Sequence, residues 1–464
     1  MKNIAKSEKK NLTLFKMNFT QNKKYYIETY GCQMNVSDSE VVAGLLEKSG
    51  FSKTESEKDA NIIFLNTCAI REHAEDKIHS RLGRLNKIKK NKPDTIIGIL
   101  GCMAQHVKDD ILENKPYVDF VLGPDSYKRI PKLLERQSIL ETSIVDTRLS
   151  RYEVYENLFP YRNNGVNAWV SIMRGCDKFC TFCIVPFTRG RERSRPLDSI
   201  VNEVKKAVDM GFIEITLLGQ NVNSYNHNNI LFPKLIDTVA KISGVKRIRY
   251  TSPHPQDIDE ELLFVMRDNH NICNSVHLPL QAGSNKILNK MNRTYTKEKF
   301  MILSDKIRNI LSNSSITTDI IVGFPGESEK DFNETLDVMN YVKFDSAFTF
   351  KYSSRPGTKA AEFDNHISEK LKQYRLSRLV ELQQEHTLYR NKLEIGKKVN
   401  VLVEKNSKKS KNKLSGRTEN NKWVILPKTN TKIGEIIPVK IIDAKGISLF
   451  GEKIKKKDEN FAII

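Results

Sequence analysis

Three stretches in the first quarter of the chain repeat one grammar, and it restricts the fold more than any other feature. YYIETYGCQMN alternates apolar and polar residues and stops at Gly31-Cys32. ANIIFLNTCAIRE is an apolar run ending at Thr67-Cys68, and TIIGILGCMAQ is another, ending at Gly101-Cys102. Helix-compatible stretches follow each: SDSEVVAGLLEKSG, REHAEDKIHSRLGRLNKIKK and MAQHVKDDILEN. Strand, turn and helix repeated in this way predict an α/β domain with a doubly wound parallel sheet. Ligands of such sheets bind beyond the carboxyl ends of the strands. Cys32, Cys68 and Cys102 are therefore expected to converge on one crevice, although distant in sequence.

From about residue 166 a second series begins, with candidate strands NAWVSIMRG, EITLLGQN, RIRYTSPHP, SVHLPLQAGS, SITTDIIVGFPGE and SAFTFKYSSRPGT. Between them lie amphipathic patterns such as PLDSIVNEVKKAVDMG and TKEKFMILSDKIRNIL. Six β/α units predict a partial (β/α)6 barrel, with its reactive groups at the carboxyl ends of the strands. SEKLKQYRLSRLVELQQEHTLYRNKLEIG reads as a long helix packed back on that barrel. After Gly396 come short β-rich pieces, KVNVLVEK, KLSGRTENNKWVILP and EIIPVKIIDAKGISLFGE, which suit a small OB-like β-barrel with KNSKKSKNK as a basic hairpin loop. The expected division is a basic tail over 1–22, an N-terminal domain over 23–140, a core over 162–392 and a C-terminal barrel over 395–456.

A chain of 464 residues is too long for one ordinary core. No apolar run is long enough to span a membrane, and the N-terminus lacks a secretory apolar segment, so a cytoplasmic protein is expected. Seven cysteines in such a chain are not a disulfide scaffold; clustered, they point to metal or redox chemistry. The net charge is +20, of which residues 1–24 carry +6 and residues 396–464 carry +10. Excess positive charge in a tail and a terminal module suits docking of nucleic acid onto a near-neutral body; lysine-rich solvated faces would produce the same totals.

The stretch MRGCDKFCTFCIVPFTRG sets Cys176, Cys180 and Cys183 within eight residues. Structural zinc sites use four ligands, usually as two Cys-x-x-Cys knuckles. Here there are three, and the next cysteine, Cys273 in NICNSVHLPL, reads as a buried core residue. Thiolates are the protein ligands of [4Fe–4S] clusters, and three on four irons leave one iron open for substrate or cofactor.

CDKFCTFC matches the Cys-x3-Cys-x-aromatic-Cys signature of radical S-adenosylmethionine enzymes. Almost the whole chain, apart mainly from the basic N-terminal tail and the last few residues, resembles the methylthiotransferases among them, through TYGCQMN, NTCAIRE, GCMAQ, RGCDKFCTFCIVPFTRGRERSRP, LLGQNVNSY, TSPHP, HLPLQAGS, DIIVGFPGE and SSRPGT. Ala282, where relatives often carry Ser, is a small-for-small change. The resemblance implies two [4Fe–4S] clusters, one on Cys176, Cys180 and Cys183, the other on Cys32, Cys68 and Cys102, facing one pocket. It also implies S-adenosyl-L-methionine as cofactor, with Phe182 against its adenine and Gly219 and Gln220 near its methionine moiety. A C-terminal TRAM domain completes the architecture.

Gly323, Pro325 and Gly326 suit backbone contact with the cofactor, and they equally suit a turn, as do Gly219 and Gln220. His277 and Gln281 are either hydrogen-bonding groups for cofactor or substrate, or satisfied core groups. Arg189, Arg191, Arg193 and Arg195 suit phosphate or carboxylate contacts or a solvated loop.

The activity implied is methylthiolation, at the expense of two S-adenosylmethionine, of carbon 2 of N6-dimethylallyladenosine at position 37 of the tRNA anticodon loop. A flavodoxin- or ferredoxin-like reducing system, a sulfur donor and a monomeric state go with it, and no membrane. Relatives act on threonylcarbamoyl-adenosine in tRNA or on a ribosomal-protein aspartate, and share all six cysteines. Readings outside the family are an iron–sulfur RNA-binding redox sensor without enzymatic activity and a zinc-dependent RNA-binding protein.

Overall fold

The computed structural model describes residues 23–68, 72–107, 110–140, 142–162, 165–408 and 410–454. The basic tail expected over 1–22 and the last two residues of the barrel expected over 395–456 lie outside the described residues. The chain divides into two compact units. One comprises residues up to Asn163 together with Met173–Asp177 and Ile184–Ser199; the other comprises Asn164–Ile172, Lys178–Cys183 and everything from Ile200 onward.

The N-terminal unit is built on β1 (Lys24–Tyr30), β2 (Ser52–Lys53), β3 (Ile62–Thr67), β4 (Ile96–Gly101), β5 (Phe120–Leu122) and β6 (Ile144–Asp146). They form one sheet in the order β2-β1-β3-β4-β5-β6, and every pair is parallel. All residues of β3 and β4 are buried, as strands covered on both faces must be. Side chains alternate between those faces. Phe64, Leu100 and Phe120 pack with Val42 and Leu46, while Ile63, Leu65 and Ile99 pack with Ile78, Leu82 and Leu85. The apolar runs are thus the two-sided strands of a doubly wound sheet. The first helix starts at Gln33, before the expected SDSEVV stretch, because Cys32 is extended and serves as its N-terminal boundary residue.

In the second unit, β7 (Asn167–Ser171), β8 (Glu214–Leu218) and β9 (Arg247–Tyr250) form one parallel sheet, and β10 (Ser275–His277), β11 (Ser315–Val322) and β12 (Ser346–Lys351) another. A parallel bridge between Ile248 and Ile272 joins the two sheets. The six strands therefore follow one another in chain order, as a partial barrel requires. Cys273 is buried there, as expected of a core residue. The helix Glu369–Lys392, capped by Ser368, packs on β12 and donates from Gln383 to the Phe344 carbonyl at 2.9 Å. Residues 398–453 form a closed barrel of β13 (Lys398–Asn406), β14 (Lys413–Arg417), β15 (Trp423–Pro427), β16 (Ile436–Lys445) and β17 (Ser448–Lys453), in the order β13-β14-β15-β17-β16. Val401, Val403, Leu414, Val424, Val439, Ile441 and Leu449 fill it. Closure removes the free strand edges that so short a sheet would expose.

Buried charge fastens this barrel to β8 and β9. Arg247 donates to the carbonyls of Arg417 and Asn400 at 2.6 and 2.7 Å, and Arg249 to that of Thr418 at 2.9 Å. Glu214, fully buried, receives Arg249 at 2.9 Å and Arg417 at 2.7 Å. Burial pushes its carboxyl up, but the guanidinium groups of Arg249 and Arg417 outweigh that and hold it below its ordinary value of 4.5. A group depressed in the folded state contributes stability above its unfolded pKa and loses it as pH falls through the folded value. Glu214→Ala leaves the buried Arg249 guanidinium without its carboxylate, while Arg417 keeps Glu404, and is expected to cost about 3–5 kcal/mol in urea unfolding. Below the glutamate range of pH the difference from wild type should shrink.

Candidate metal centre

The three N-terminal cysteines stand at the carboxyl ends of three adjacent strands. Cys32 follows β1, Cys68 follows β3, and Cys102 follows β4 as the first residue of the helix Cys102–Val107. Backbone packing puts them there. Gly31 has φ +145°, and a Cβ on it would sit 2.6 Å from Asn35 Oδ1 and 2.8 Å from Cys68 Cβ. Gly101 has φ +95°, and a Cβ there would meet Asn66 Oδ1 and the Thr67 carbonyl oxygen, both at 2.5 Å. Asn35 donates to Asn66 Oδ1 at 3.0 Å and to the Thr67 carbonyl at 3.2 Å, and Asn66 donates back to the Asn35 carbonyl at 2.9 Å.

The thiols sit in an electropositive setting. Cys32 donates to Asn35 Oδ1 at 3.3 Å. A hydrogen bond from Cys68 lowers its pKa to about 6, against the effect of burial and with help from Arg189 and the N–H groups of Asn35 and Met34. Burial raises the Cys102 thiol, and Arg189 opposes it. The Arg189 Nε lies 3.1 Å from Cys102 Sγ, and its Nη2 lies 2.7 Å from Asp38. Arg189 Nη1 is buried without a hydrogen-bond partner. Arg174 and Arg193 pair with buried Asp125 at 3.2 and 2.9 Å, and the Arg174 guanidinium stacks 3.8 Å above the Tyr155 ring centroid.

Cys176 belongs to the segment Met173–Asp177 of this unit, where its N–H bonds to the Gly190 carbonyl at 3.2 Å. Cys180 and Cys183 belong to the second unit, on a short loop that other loops clamp. Lys178 pairs with Asp257 at 2.7 Å, and Asn221, just beyond β8, donates to the same carboxylate at 2.8 Å. Asn292 donates to the carbonyls of Lys178 and Phe179, and Thr181 to that of Lys290. Arg293 approaches Cys180 Sγ to 3.4 Å and also donates to Tyr295 and the Pro279 carbonyl. Burial, then Arg293 and Lys178, lower His254 to about 2, so it stays neutral at every working pH. None of the seven cysteines forms a disulfide. Among the described residues, no group of three or more His, Cys, Asp or Glu is gathered closely enough for a single metal ion.

The positions expected to hold S-adenosylmethionine all fall in the second unit. Phe182, half-buried, is on the clamped loop, and Gly219 and Gln220 directly follow β8. Gln281, at φ +67°, is bound through its backbone to Asp319 and Ile321 of β11. Gly323 and Pro325 form the turn after β11. The Gly323 N–H donates to Glu327 at 2.7 Å, and Glu327 pairs with Arg375 at 2.8 Å. His277 bonds to Thr317 at 3.0 Å and lies 3.3 Å from Asp319. Arg189, Arg193 and Arg195 are buried, which corrects the solvated-loop reading for those three; their partners are internal carboxylates, carbonyls and Ser199. Arg191 is exposed and pairs with Asp177.

Three domain models match the chain: "Uncharacterized protein family UPF0004" over residues 24–123, "Radical SAM superfamily" over 170–339 and "TRAM domain" over 392–454. Fold and thiol loop together define a radical SAM enzyme flanked by these two domains. Among curated proteins, tRNA-2-methylthio-N(6)-dimethylallyladenosine synthase of Thermoanaerobacter sp. (strain X514) is 45% identical over 97% of this chain and 97% of its own. The protein of that name in Parabacteroides distasonis is 46% identical over 94% and 96%. The chain belongs to the tRNA-2-methylthio-N6-dimethylallyladenosine synthase family. Among solved structures, the radical S-adenosylmethionine methyltransferase TsrM from Kitasatospora setae superposes with a TM-score of 0.56 at 13% identity, covering 74% of this chain and 77% of that one. That likeness is one of fold.

Arg189→Ala leaves the buried Asp38 without its guanidinium partner. The expected loss is about 3–5 kcal/mol, read by thermal or chemical unfolding of the protein without metal, with Arg189→Lys retaining part of it.

Proposed function

We propose that the protein replaces the hydrogen on carbon 2 of N6-dimethylallyladenosine, beside the anticodon of tRNA, by a methylthio group. The observation that carries this reading is the near full-length identity to synthases of that name, with all six motif cysteines present. Two [4Fe–4S] clusters are assigned, one to Cys32, Cys68 and Cys102, the other to Cys176, Cys180 and Cys183. The donor chemistry supports both assignments. Each trio supplies soft thiolates, and each has a guanidinium beside one sulfur, that of Arg189 buried and that of Arg293 half-buried, able to offset the negative charge of a thiolate-ligated cluster. Bound with S-adenosylmethionine, such a cluster supplies one-electron cleavage of the sulfonium, and with it the means to break an unactivated aromatic C–H bond.

The chain's own residues bind, orient and exclude. Phe182, Gly219, Gln220, Gln281, Gly323 and Pro325 are assigned to cofactor binding. Glu327 and Arg375 keep the Gly323–Pro325 turn in place, and the Lys178–Asp257 pair holds the thiol loop to the segment after β9, where Asn221 from the end of β8 donates to the same carboxylate. No side chain of ordinary basicity removes the proton from carbon 2, so none is assigned as a catalytic base. Exposed lysines of the C-terminal barrel, Lys405, Lys411, Lys413 and Lys428 among them, suit the phosphates of an anticodon stem. A loop base is extruded into a pocket at modest cost. A flavodoxin- or ferredoxin-like reductant supplies the electron, and a sulfur donor restores the inserted atom. Among the described residues no helix is long and apolar enough to cross a membrane; a cytoplasmic monomer is the state assigned.

The test is anaerobic reconstitution with a prenylated anticodon stem-loop, a reductant and S-adenosylmethionine, followed by mass spectrometry of nucleosides. The expected product is the methylthio nucleoside with 5′-deoxyadenosine; absence of both overturns the reading. Ala at Cys176, Cys180 or Cys183 should abolish 5′-deoxyadenosine and product together. Ala at Cys32, Cys68 or Cys102 should leave 5′-deoxyadenosine measurable and eliminate methylthiolation.

A further inference from the structure

One face of the partial barrel carries an apolar surface that the cofactor assignments leave unused. Strand β11 alternates: Ile316, Thr318, Ile320 and Val322 are buried, while Thr317, Asp319 and Ile321 on the other face stay partly accessible. Register carries that accessible face onto β12, where Asp319 pairs with Phe348 and Ile321 with Phe350. The opposite side of β12 is the one its helix covers: Ala347 and Thr349 line a small cavity with Val380 and Gln383. Phe348 and Phe350 therefore point away from the helices, and they are 59% and 49% exposed. Phe348 meets the His277 ring edge-to-face at 6.2 Å, and His277 in turn contacts Thr317 and Asp319. Two large rings left open to water beside a fixed polar pair are an apolar surface that a ligand has reason to cover.

We propose that Phe348 and Phe350 receive the dimethylallyl substituent of the substrate adenosine and so determine which modified base is accepted. The inference rests on the function proposed above. The chemistry selects this occupant. A dimethylallyl group is branched, uncharged and without hydrogen-bonding atoms, so the rings lose nothing by burying it and gain by leaving water. A threonylcarbamoyl substituent would bring a carboxylate onto apolar rings and towards Asp319, where desolvation and like charge both oppose it. An unsubstituted adenine would leave the rings wet.

Full-length protein, reconstituted anaerobically, would be titrated with synthetic anticodon stem-loops carrying dimethylallyl-adenosine, unmodified adenosine or threonylcarbamoyl-adenosine. Wild type should prefer the prenylated loop by about tenfold or more, the scale on which apolar pockets discriminate. Phe348→Ala and Phe350→Ala should each cut that ratio by about fivefold, whereas Phe348→Leu, which keeps an apolar contact, should hold it within about twofold. Equal weakening towards all three loops, or an unchanged ratio in both Ala variants, overturns the inference. If wild type yields no methylthio product from the prenylated loop, the parent reading fails instead; if it does while Phe348→Ala and Phe350→Ala both keep the preference, only this inference fails.

Discussion

Two buried amides, Asn35 and Asn66, bind each other reciprocally, and all three thiols of the N-terminal unit depend on that pair. Asn35 receives the Cys32 thiol, takes up the carbonyl before Cys68 and grips Asn66, which also donates to Ser39 at 2.9 Å. Gly31 and Gly101 press against the same two side chains, so the residues preceding Cys32 and Cys102 are fixed by contact with them. A buried amide without partners costs far more than a formed hydrogen bond returns. The network is therefore nearly all-or-none, and it fixes strand ends that sheet pairing alone would leave loose.

Given fixed positions, the thiols need compensation for charge. In each unit one arginine provides it, Arg189 beside Cys102 and Arg293 beside Cys180. Arg189 is buried and Arg293 half-buried, and each is held by a second group, Asp38 for Arg189 and Tyr295 with the Pro279 carbonyl for Arg293. Arginine suits the task because its charge survives burial and its fork serves two partners at once. Burial disfavours the charge on Arg189, yet Asp38 and the nearby thiols more than offset this and push its pKa up. A lysine there would keep part of the compensation, but it lacks the planar fork that serves Asp38 and Cys102 together.

What the sequence discloses is set by how local each signal is. Strand runs such as IIFLNT and IIGILG declare themselves because two-sided burial demands uninterrupted apolar residues, and the thiols at their ends follow from connectivity. Asn35 and Asp38 share the stretch after Cys32 at helical spacing and carried that much signal; their partners Asn66 and Arg189 lie far along the chain, and no local pattern links them. The arginines of RGRERSRP look like a solvated basic loop because their carboxylates, Asp38 and Asp125, come from distant elements. Phe348 and Phe350 look like core residues of a strand. Only the register with β11 shows which face they occupy.

Composition overstates the charge available to a partner, and the division between arginine and lysine shows why. Arg174, Arg189, Arg193, Arg195, Arg247 and Arg249 are buried, and Lys422 of the C-terminal barrel is spent on Asp345 at 2.7 Å. What remains outside on that barrel is chiefly lysine, and even there Lys405 lies over the Trp423 ring at 4.2 Å. Lysine meets phosphate as a point charge without a preferred plane, so it attracts a backbone and reads no base. Selection among modified bases is instead the role proposed for the two open phenylalanine rings, Phe348 and Phe350, beside His277 and Asp319. Affinity and selectivity are thus carried by different elements of the second unit, and salt should erode the first while leaving the second standing.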